Sequence, residues 1–156
     1  KADLFNAMME RVTLPLEQTL TAAYAEQATH PVVEIRSAMQ DALRLIATDA
    51  QTRRVLQIAT HQVEYTADMG AVLERHLSVH DGCVERNLVA LQRAFAARNQ
   101  TPPIALDFAA RGLQVLVEGL VHQWLLNPEA FDLQANGLAA LDVYLRGLGL
   151  HDTAPG

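Results

Sequence analysis

Apolar residues recur at intervals of three and four positions along almost the entire chain, which is the spacing of one face of an α-helix. Breaks that contain proline are few, and they fall at Thr29–Pro31, Thr101–Pro103 and Asn127–Pro128. No segment alternates apolar and polar residues with period two, and the pair Asn136–Gly137 lies inside a helical pattern, which argues against β-hairpins. The sequence therefore predicts an all-α fold.

Six helices are expected from this spacing and from the residues that interrupt it. They run from about Ala2 to Glu26, from Thr29 onward, from Arg53 to Glu64, from about Ala67 to Arg98, from Asp107 to Leu126 and from about Gln134 to Leu150. We expect Asp49 and Asp107 to cap the third and fifth helices. Pro15 should bend the first helix, and Gly82 should mark a bend or a close contact in the fourth.

The predicted core consists of the residues on the inward face of each helix. On the first three helices these are Met8, Val12, Leu16, Leu20, Tyr24, Val32, Ile35, Met39, Ala42, Ile46, Val55, Ile58, Ala59 and Val63. The fourth helix carries a seam that includes two polar residues: Leu73, Leu77, His80, Val84, Asn87, Leu91 and Phe95. The sixth helix contributes Leu138, Leu141, Leu145 and Leu148 at coiled-coil-like spacing.

The length of 156 residues corresponds to one domain, which we expect to span residues 1–150, followed by a disordered tail at 151–156. Half of the residues are hydrophobic and 19% are charged, which excludes a disordered acidic segment. The net charge of −6 is too acidic for a typical nucleic-acid-binding module. We expect Arg86, Arg93 and Arg98 to lie on a solvated face of the fourth helix.

No segment of the sequence has the character of an export signal or a membrane span. Charged residues interrupt the first twelve positions, and polar residues interrupt the most apolar stretch, Gly112–Leu126. The single cysteine, Cys83, excludes an internal disulfide and a zinc site made only of cysteines. From these features we expect a cytoplasmic protein without a membrane partner.

The fifth helix is apolar around most of its circumference, and its polar residues form one narrow stripe. The stripe consists of Asp107, Arg111, Gln114, Glu118 and His122. Such a helix must be covered on at least two sides, and a second copy of the chain is the natural second cover. We expect the last two helices to form a four-helix bundle in a homodimer. The alternative is a monomer in which the stripe faces solvent.

Three residues of the fourth helix raise the alternative of a helical-bundle metal-binding protein or enzyme. His76, His80 and Cys83 share one helical face and supply two or three potential ligands. No fourth ligand has motif spacing, no cysteine-enzyme signature surrounds Cys83, and no phosphate-binding glycine-rich loop occurs in the sequence. We therefore expect a protein that is not an enzyme and that carries no metal or other cofactor.

The sequence also resembles a known family of bacterial regulators at an ordered set of short segments. These are Lys1–Phe5, Asp49–Arg54, Thr60–Tyr65, Glu118–Leu120, Trp124–Leu126, Pro128 and Phe131–Leu133. They are similar to the start of the connecting helix, the third-helix region and the closing signature of TetR-family repressors of the AcrR-like, multidrug-efflux branch. The likeness extends over essentially the whole chain and keeps the spacing between the segments.

The resemblance implies the six-helix C-terminal domain of a TetR-type transcriptional repressor, which senses ligands and dimerises. Small hydrophobic or cationic drug-like molecules would bind in a cavity among the helices and release the repressor from the operator of a multidrug efflux pump gene. Operator DNA would be bound only through an N-terminal helix-turn-helix domain, which is absent from this chain and which we expect in front of Lys1.

Position by position, the resemblance assigns fourteen residues to the cavity wall. They are Val12, Ile35, Ala38, Met39, Ala42, Leu56, Thr60, His80, Cys83, Asn87, Gln114, Val117, Glu118 and Val121. In this assignment Glu118 orients ligands, and Asn87 and Thr60 are candidate hydrogen-bond partners. The sequence departs from the family at Leu56, Thr60 and Gln114, which leaves the ligand preference open. A structural dimerisation module without a cavity remains a third interpretation.

Overall fold

A computed structural model of the chain describes residues 3, 6–11, 18, 30–61 and 70–151. The helices are α1 (helical residues 6–11), α2 (Pro31–Thr48), α3 (Ala50–His61), α4 (Gly70–Arg98), α5 (Leu106–Leu126) and α6 (Leu133–Gly147). Among these residues no strand occurs, which confirms the all-α prediction. No described helix combines the length and apolar character that crossing a bilayer requires.

Some predictions fall on residues outside the described ranges. They concern Val12, Pro15, Leu16, Leu20, Tyr24, Thr29, Val63 and the tail beyond His151. These remain predictions.

The starts of α2 and α3 follow from their local sequence. Helix α2 has Pro31 in its first turn, where the missing backbone donor would have no partner in a helix anyway. At α3, Asp49 Oδ2 accepts a hydrogen bond from the backbone N of Thr52 at 2.7 Å, which confirms the predicted cap. The capped helix begins at Ala50, so the predicted start near Arg53 is wrong by one turn.

The predicted cap of α5 is wrong. Ala105 occupies the cap position, and Asp107 lies one residue inside the helix. In the first turn the negative charge of Asp107 complements the positive end of the helix dipole, so an acidic residue is favourable there without accepting a capping bond.

Helix α6 is bounded by two local signals. Its cap is Asp132, whose Oδ1 accepts a hydrogen bond from the backbone N of Ala135 at 2.8 Å. At the other end Gly149 has a φ of 82°, a left-handed conformation that ends the helix, and Leu150 N donates to Leu145 O at 2.8 Å. The helix therefore ends before the predicted position.

The main core lies where α2, α4, α5 and α6 pack against one another. All five predicted core residues of α2 are buried. The fully buried large side chains are Ile35, Leu43, Leu91, Leu113, Leu133, Leu141, Leu145 and Leu150. Burial of each contributes about 2 kcal/mol to the free energy of unfolding. A second, small cluster joins Met9 of α1 to Val55 and Ala59 of α3.

The predicted seam of α4 is buried only in its second half. Leu91 and Phe95 are buried, whereas Leu73 and Leu77 are 39% and 50% exposed, so the prediction is wrong for these two residues. The 29 residues of α4 extend over about 43 Å, roughly 12 Å more than α5. Because α5 returns from the other end of α4, the first turns of α4 extend past it.

Helices approach closely at glycines other than Gly82. A Cβ at Gly137 would overlap Leu43, and one at Gly112 would lie 2.6 Å from the Tyr144 hydroxyl oxygen. A Cβ at Gly82 would lie 3.7 Å from Arg86 Nη1, an ordinary contact, so the predicted close contact there is wrong. Gly137 and Gly112 therefore let α6 lie close against α2 and α5.

An ion pair of low exposure fixes α4 against α2. Glu34 is buried, and its Oε2 lies 3.3 Å from Arg93 Nη1. A buried carboxylate without a cationic partner would be costly, so Arg93 compensates for the burial of Glu34. The prediction of a solvated face is therefore wrong for Arg93.

Candidate ligand-binding site

Four polar residues of the predicted cavity wall form one hydrogen-bond network between α4 and α5. Asn87 Nδ2 donates to Gln114 Oε1 at 3.2 Å, and Gln114 Nε2 donates to Glu118 Oε1 at 2.9 Å. The same Glu118 oxygen lies 2.8 Å from His80 Nδ1. We refer to these four residues as the polar network.

Helical spacing explains how the polar network assembles. His80 and Asn87 are two turns apart on α4, and Gln114 and Glu118 are one turn apart on α5, so each pair occupies one face of its helix. The two helices run in opposite directions because a short connection joins them. Asn87, which is nearer the connection, therefore meets Gln114, and His80 meets Glu118.

The polar network extends from the interior of the domain to its surface. Asn87 is buried, the side chain of His80 is 21% exposed, and that of Glu118 is 46% exposed. Glu118 Oε1 accepts two hydrogen bonds, while Oε2 has no hydrogen-bond partner among the described residues. One carboxylate oxygen thus remains available to a further donor.

The apolar residues of the predicted cavity wall lie in the main core or directly against it. Ile35 and Met39 belong to the buried cluster, and Leu56, Val117 and Val121 pack against it. Ala38 and Ala42 are also buried. Their role as a cavity wall remains a prediction.

Thr60 makes its hydrogen bond within its own helix. The hydroxyl donates to Leu56 O at 2.6 Å, and the residue is exposed. It is therefore not joined to the polar network by any described hydrogen bond.

Arg86 is a residue of this region that we did not predict from the sequence. Its Nη2 donates to Cys83 Sγ at 3.1 Å, and its Nε is buried with no hydrogen-bond partner among the residues that the structure describes. The alternation of Arg86 with Glu85 had suggested a solvated face, and that prediction is wrong for Arg86, which is half-buried. The spacing of three residues between Cys83 and Arg86 was the one signal in the sequence.

The three residues that we considered as metal ligands, His76, His80 and Cys83, do not share one site. His76 is exposed, His80 contacts Glu118, and Cys83 accepts a hydrogen bond from Arg86. Across the described ranges, no three histidine, cysteine or acidic side chains come together in a way that could hold a metal ion. The metal alternative therefore gains no support.

A second contact between helices was also not predicted. The rings of His61 on α3 and His122 on α5 pack edge to face, with centroids 4.4 Å apart. His61 Nε2 is buried and has no hydrogen-bond partner within the described ranges. One turn along, Gln57 Nε2 donates to Leu125 O at 2.9 Å. The end of the polar stripe on α5 thus faces α3.

A separate open groove of about 400 Å³ lies where α4 and α6 end. It is lined by Phe95, Gln100, Thr101, Pro103, Arg146, Gly147, Leu148 and Gly149. None of these residues belongs to the predicted cavity wall.

Residues 30–150 match the family model of the MAATS-type transcriptional repressor, C-terminal region. The chain belongs to this family. The match covers helices α2 to α6 and confirms the resemblance to TetR-family repressors that the sequence suggested.

Relatives of known sequence and structure agree with this TetR-family membership. The HTH-type transcriptional regulator TtgR of Pseudomonas putida is 28% identical over 134 residues, which are 85% of this chain and 63% of TtgR. This chain therefore spans less than two thirds of the length of that relative.

Two solved structures share the fold. The SmeT–triclosan complex, of a Stenotrophomonas maltophilia repressor, has a TM-score of 0.82 and 26% identity, covering 99% of this chain and 74% of SmeT. NalD, the secondary repressor of the MexAB-OprM multidrug efflux pump in Pseudomonas aeruginosa, has a TM-score of 0.82 and 28% identity, covering 95% and 75%. The predicted TetR-type fold is thereby confirmed.

Proposed function

We propose that this chain is the ligand-sensing and dimerisation domain of a TetR-family repressor of a multidrug efflux pump. The observation that carries the proposal is the polar network, which places Glu118 and three hydrogen-bonding partners between two helices that border the apolar core. Two similar structures add support, since one is a triclosan complex and the other is an efflux-pump repressor.

The polar network suits ligands that combine an apolar body with a hydrogen-bond donor or a positive charge. Small-molecule sites are mostly apolar, with a small number of polar groups that fix the orientation of the ligand. Here the apolar contacts would come from Val117 and Val121, and Glu118 Oε2 would accept a hydrogen bond from the ligand. The ligand class is therefore a hydrophobic or cationic drug-like molecule.

Release from DNA requires that the ligand bind one arrangement of the repressor more tightly than another. A molecule inserted between α4 and α5 would change the packing of these helices. In our proposal this change alters the distance between two helix-turn-helix domains and weakens binding to the operator.

Dimerisation would use the outer face of the last two helices. Phe108, Val115 and Leu126 share one face of α5, and each is more than half exposed. Val143 of α6 is likewise exposed. A set of large exposed apolar residues on adjacent helices is a typical protein interface, and covering it with a second copy would give a four-helix bundle.

A thermal-shift assay tests the sensing function. We expect triclosan and a panel of hydrophobic cations to raise the melting temperature of the chain. A ligand at 100 times its Kd stabilises the folded state by about 2.7 kcal/mol. A broad panel that leaves the melting temperature unchanged would contradict the proposal.

A further inference from the structure

Arg86 is half-buried, and its guanidinium pairs with no carboxylate in the part of the chain that the structure describes. Within the described ranges, Arg36, Arg44 and Arg93 each pair with a carboxylate, whereas the guanidinium of Arg86 has only Cys83 Sγ as a hydrogen-bond partner. Its Nε is buried and makes no hydrogen bond to any described residue. Burying part of a guanidinium is unfavourable unless an anion or a strong acceptor compensates.

This guanidinium lies beside the α4 face that carries the polar network. Cys83 follows His80 by three residues and precedes Asn87 by four, so it lies on the same side of the helix as both. Because Arg86 Nη2 contacts Cys83 Sγ at 3.1 Å, its charged group borders this face. The site thus has a carboxyl group, that of Glu118, on α5 and a cation, the guanidinium of Arg86, on α4.

We propose that Arg86 is an anion-recognition residue of the ligand site and that the site also takes aromatic acids. The inference rests on the proposed sensing function. A carboxylate or sulfonate would accept paired hydrogen bonds from the planar guanidinium, a geometry that arginine provides and lysine does not. A sulfur atom is a weak acceptor, so displacing Cys83 from the guanidinium costs little.

The net charge of the chain limits where affinity for an anion can come from. With a net charge of −6, the domain as a whole repels anions. Affinity for an aromatic acid must therefore come from a local cation, and a single substitution should remove most of it.

Two dyes that differ in one group provide the test. Anilinonaphthalene sulfonate is an anion, and phenylnaphthylamine is the same aromatic body without the sulfonate. Fluorescence titrations would measure the Kd of both dyes for the wild-type chain and for the variants Arg86→Gln, Arg86→Lys and Arg146→Gln. Arg146 is an exposed arginine in the separate groove, so it serves as the control.

We expect Arg86→Gln to weaken sulfonate binding by about tenfold or more, the usual effect of losing a charge-assisted hydrogen bond, and to leave the neutral dye within about twofold. Arg86→Lys should weaken sulfonate binding several-fold, because lysine keeps the positive charge but cannot donate two parallel hydrogen bonds as the planar guanidinium does. If the glutamine variant does not fold, as judged by circular dichroism, the lysine variant decides.

Four outcomes overturn the inference. Equal losses for both dyes, or no loss for the sulfonate, show that Arg86 does not recognise the anion. Loss of sulfonate binding in Arg146→Gln instead places the anion in the groove. In these cases the sensing function stands if the neutral dye still binds. A wild-type chain that binds neither dye contradicts the sensing function itself, and the inference with it.

Discussion

His80 Nδ1 lies 2.8 Å from Glu118 Oε1 and thereby joins α4 to α5 at the half-exposed end of the polar network. When Glu118 is ionised it can only accept, so His80 donates through Nδ1. In that arrangement a neutral His80 keeps Nε2 as an acceptor, and Glu118 Oε2 has no hydrogen-bond partner among the described residues. This end of the network therefore favours ligands that donate hydrogen bonds.

Replacing Glu118 with alanine should reduce the affinity for polar ligands more than the affinity for apolar ones. We expect Glu118→Ala to weaken a cationic or hydrogen-bond-donating ligand about tenfold, since a hydrogen bond to a charged group is lost, and to leave a neutral hydrocarbon almost unaffected. Isothermal titration calorimetry would measure both. Glu85→Ala, which removes an exposed acid of α4, is the control. Equal losses for both ligand types would refute the role of Glu118.

A charge on the outer face of α5 should prevent dimerisation. Phe108 is 68% exposed in the isolated chain, so Phe108→Asp should leave the fold intact while it introduces repulsion in the proposed four-helix bundle. Light scattering should show a dimer for the wild type and a monomer for this variant. Val33→Asp, which changes an exposed residue of α2, should remain dimeric. A wild-type chain that is monomeric at micromolar concentration would rule out the dimer.

A methyl group at Gly137 should disturb the contact between α6 and α2. The new Cβ would overlap Leu43, so Gly137→Ala should lower the free energy of unfolding by about 1–3 kcal/mol. Gly82→Ala is the matched control in a helix interior. It has room for the methyl group and should raise stability by up to about 1 kcal/mol. Urea unfolding measures both, and equal effects would contradict the described packing.

The cap at Asp49 should make the stability of the domain depend on pH. Hydrogen bonds to the Thr52 side chain and backbone lower the pKa of Asp49 from its usual value of 3.8. A lowered pKa in the folded state means that the carboxylate stabilises the fold above the unfolded value, and that this stabilisation disappears as the pH falls through the folded value.

Thermal melting should show this dependence through two variants. Asp49→Ala should lower the melting temperature at neutral pH, and the difference from wild type should shrink in acid below the folded pKa. Asp49→Asn should retain most of the stability at neutral pH, because asparagine caps helices about as well. A difference between wild type and Asp49→Ala that does not change with pH would show that the charge plays no part.

The helices could be predicted because each depends on residues close together in the sequence. The spacing of apolar residues on α2 identified its buried face correctly, and Asp49 was a local capping signal. The exposure of Leu73 and Leu77 could not be predicted, because the spacing of apolar residues shows which face of a helix is apolar but not where the covering helix ends. The prediction that Asp107 caps α5 was wrong because an acidic residue is favourable both at the cap and inside the first turn, so its presence does not fix the position of the cap.

The candidate site was only partly predictable. The family resemblance assigned His80 and Asn87 to the cavity wall, but their partners on α5 depend on how two helices are rotated against each other. The contact of His61 with His122 depends on the same rotation. Arg86 was missed because a neighbouring acidic residue suggested a solvated face, whereas its side chain folds back along the helix to Cys83.

A crystal structure of the chain with triclosan tests the central claim most directly. We predict that the molecule binds between α4 and α5, with a polar atom within hydrogen-bond distance of Glu118 or another member of the polar network. Triclosan bound only in the groove lined by Phe95 and Arg146, or no bound triclosan at a saturating concentration, would contradict the account.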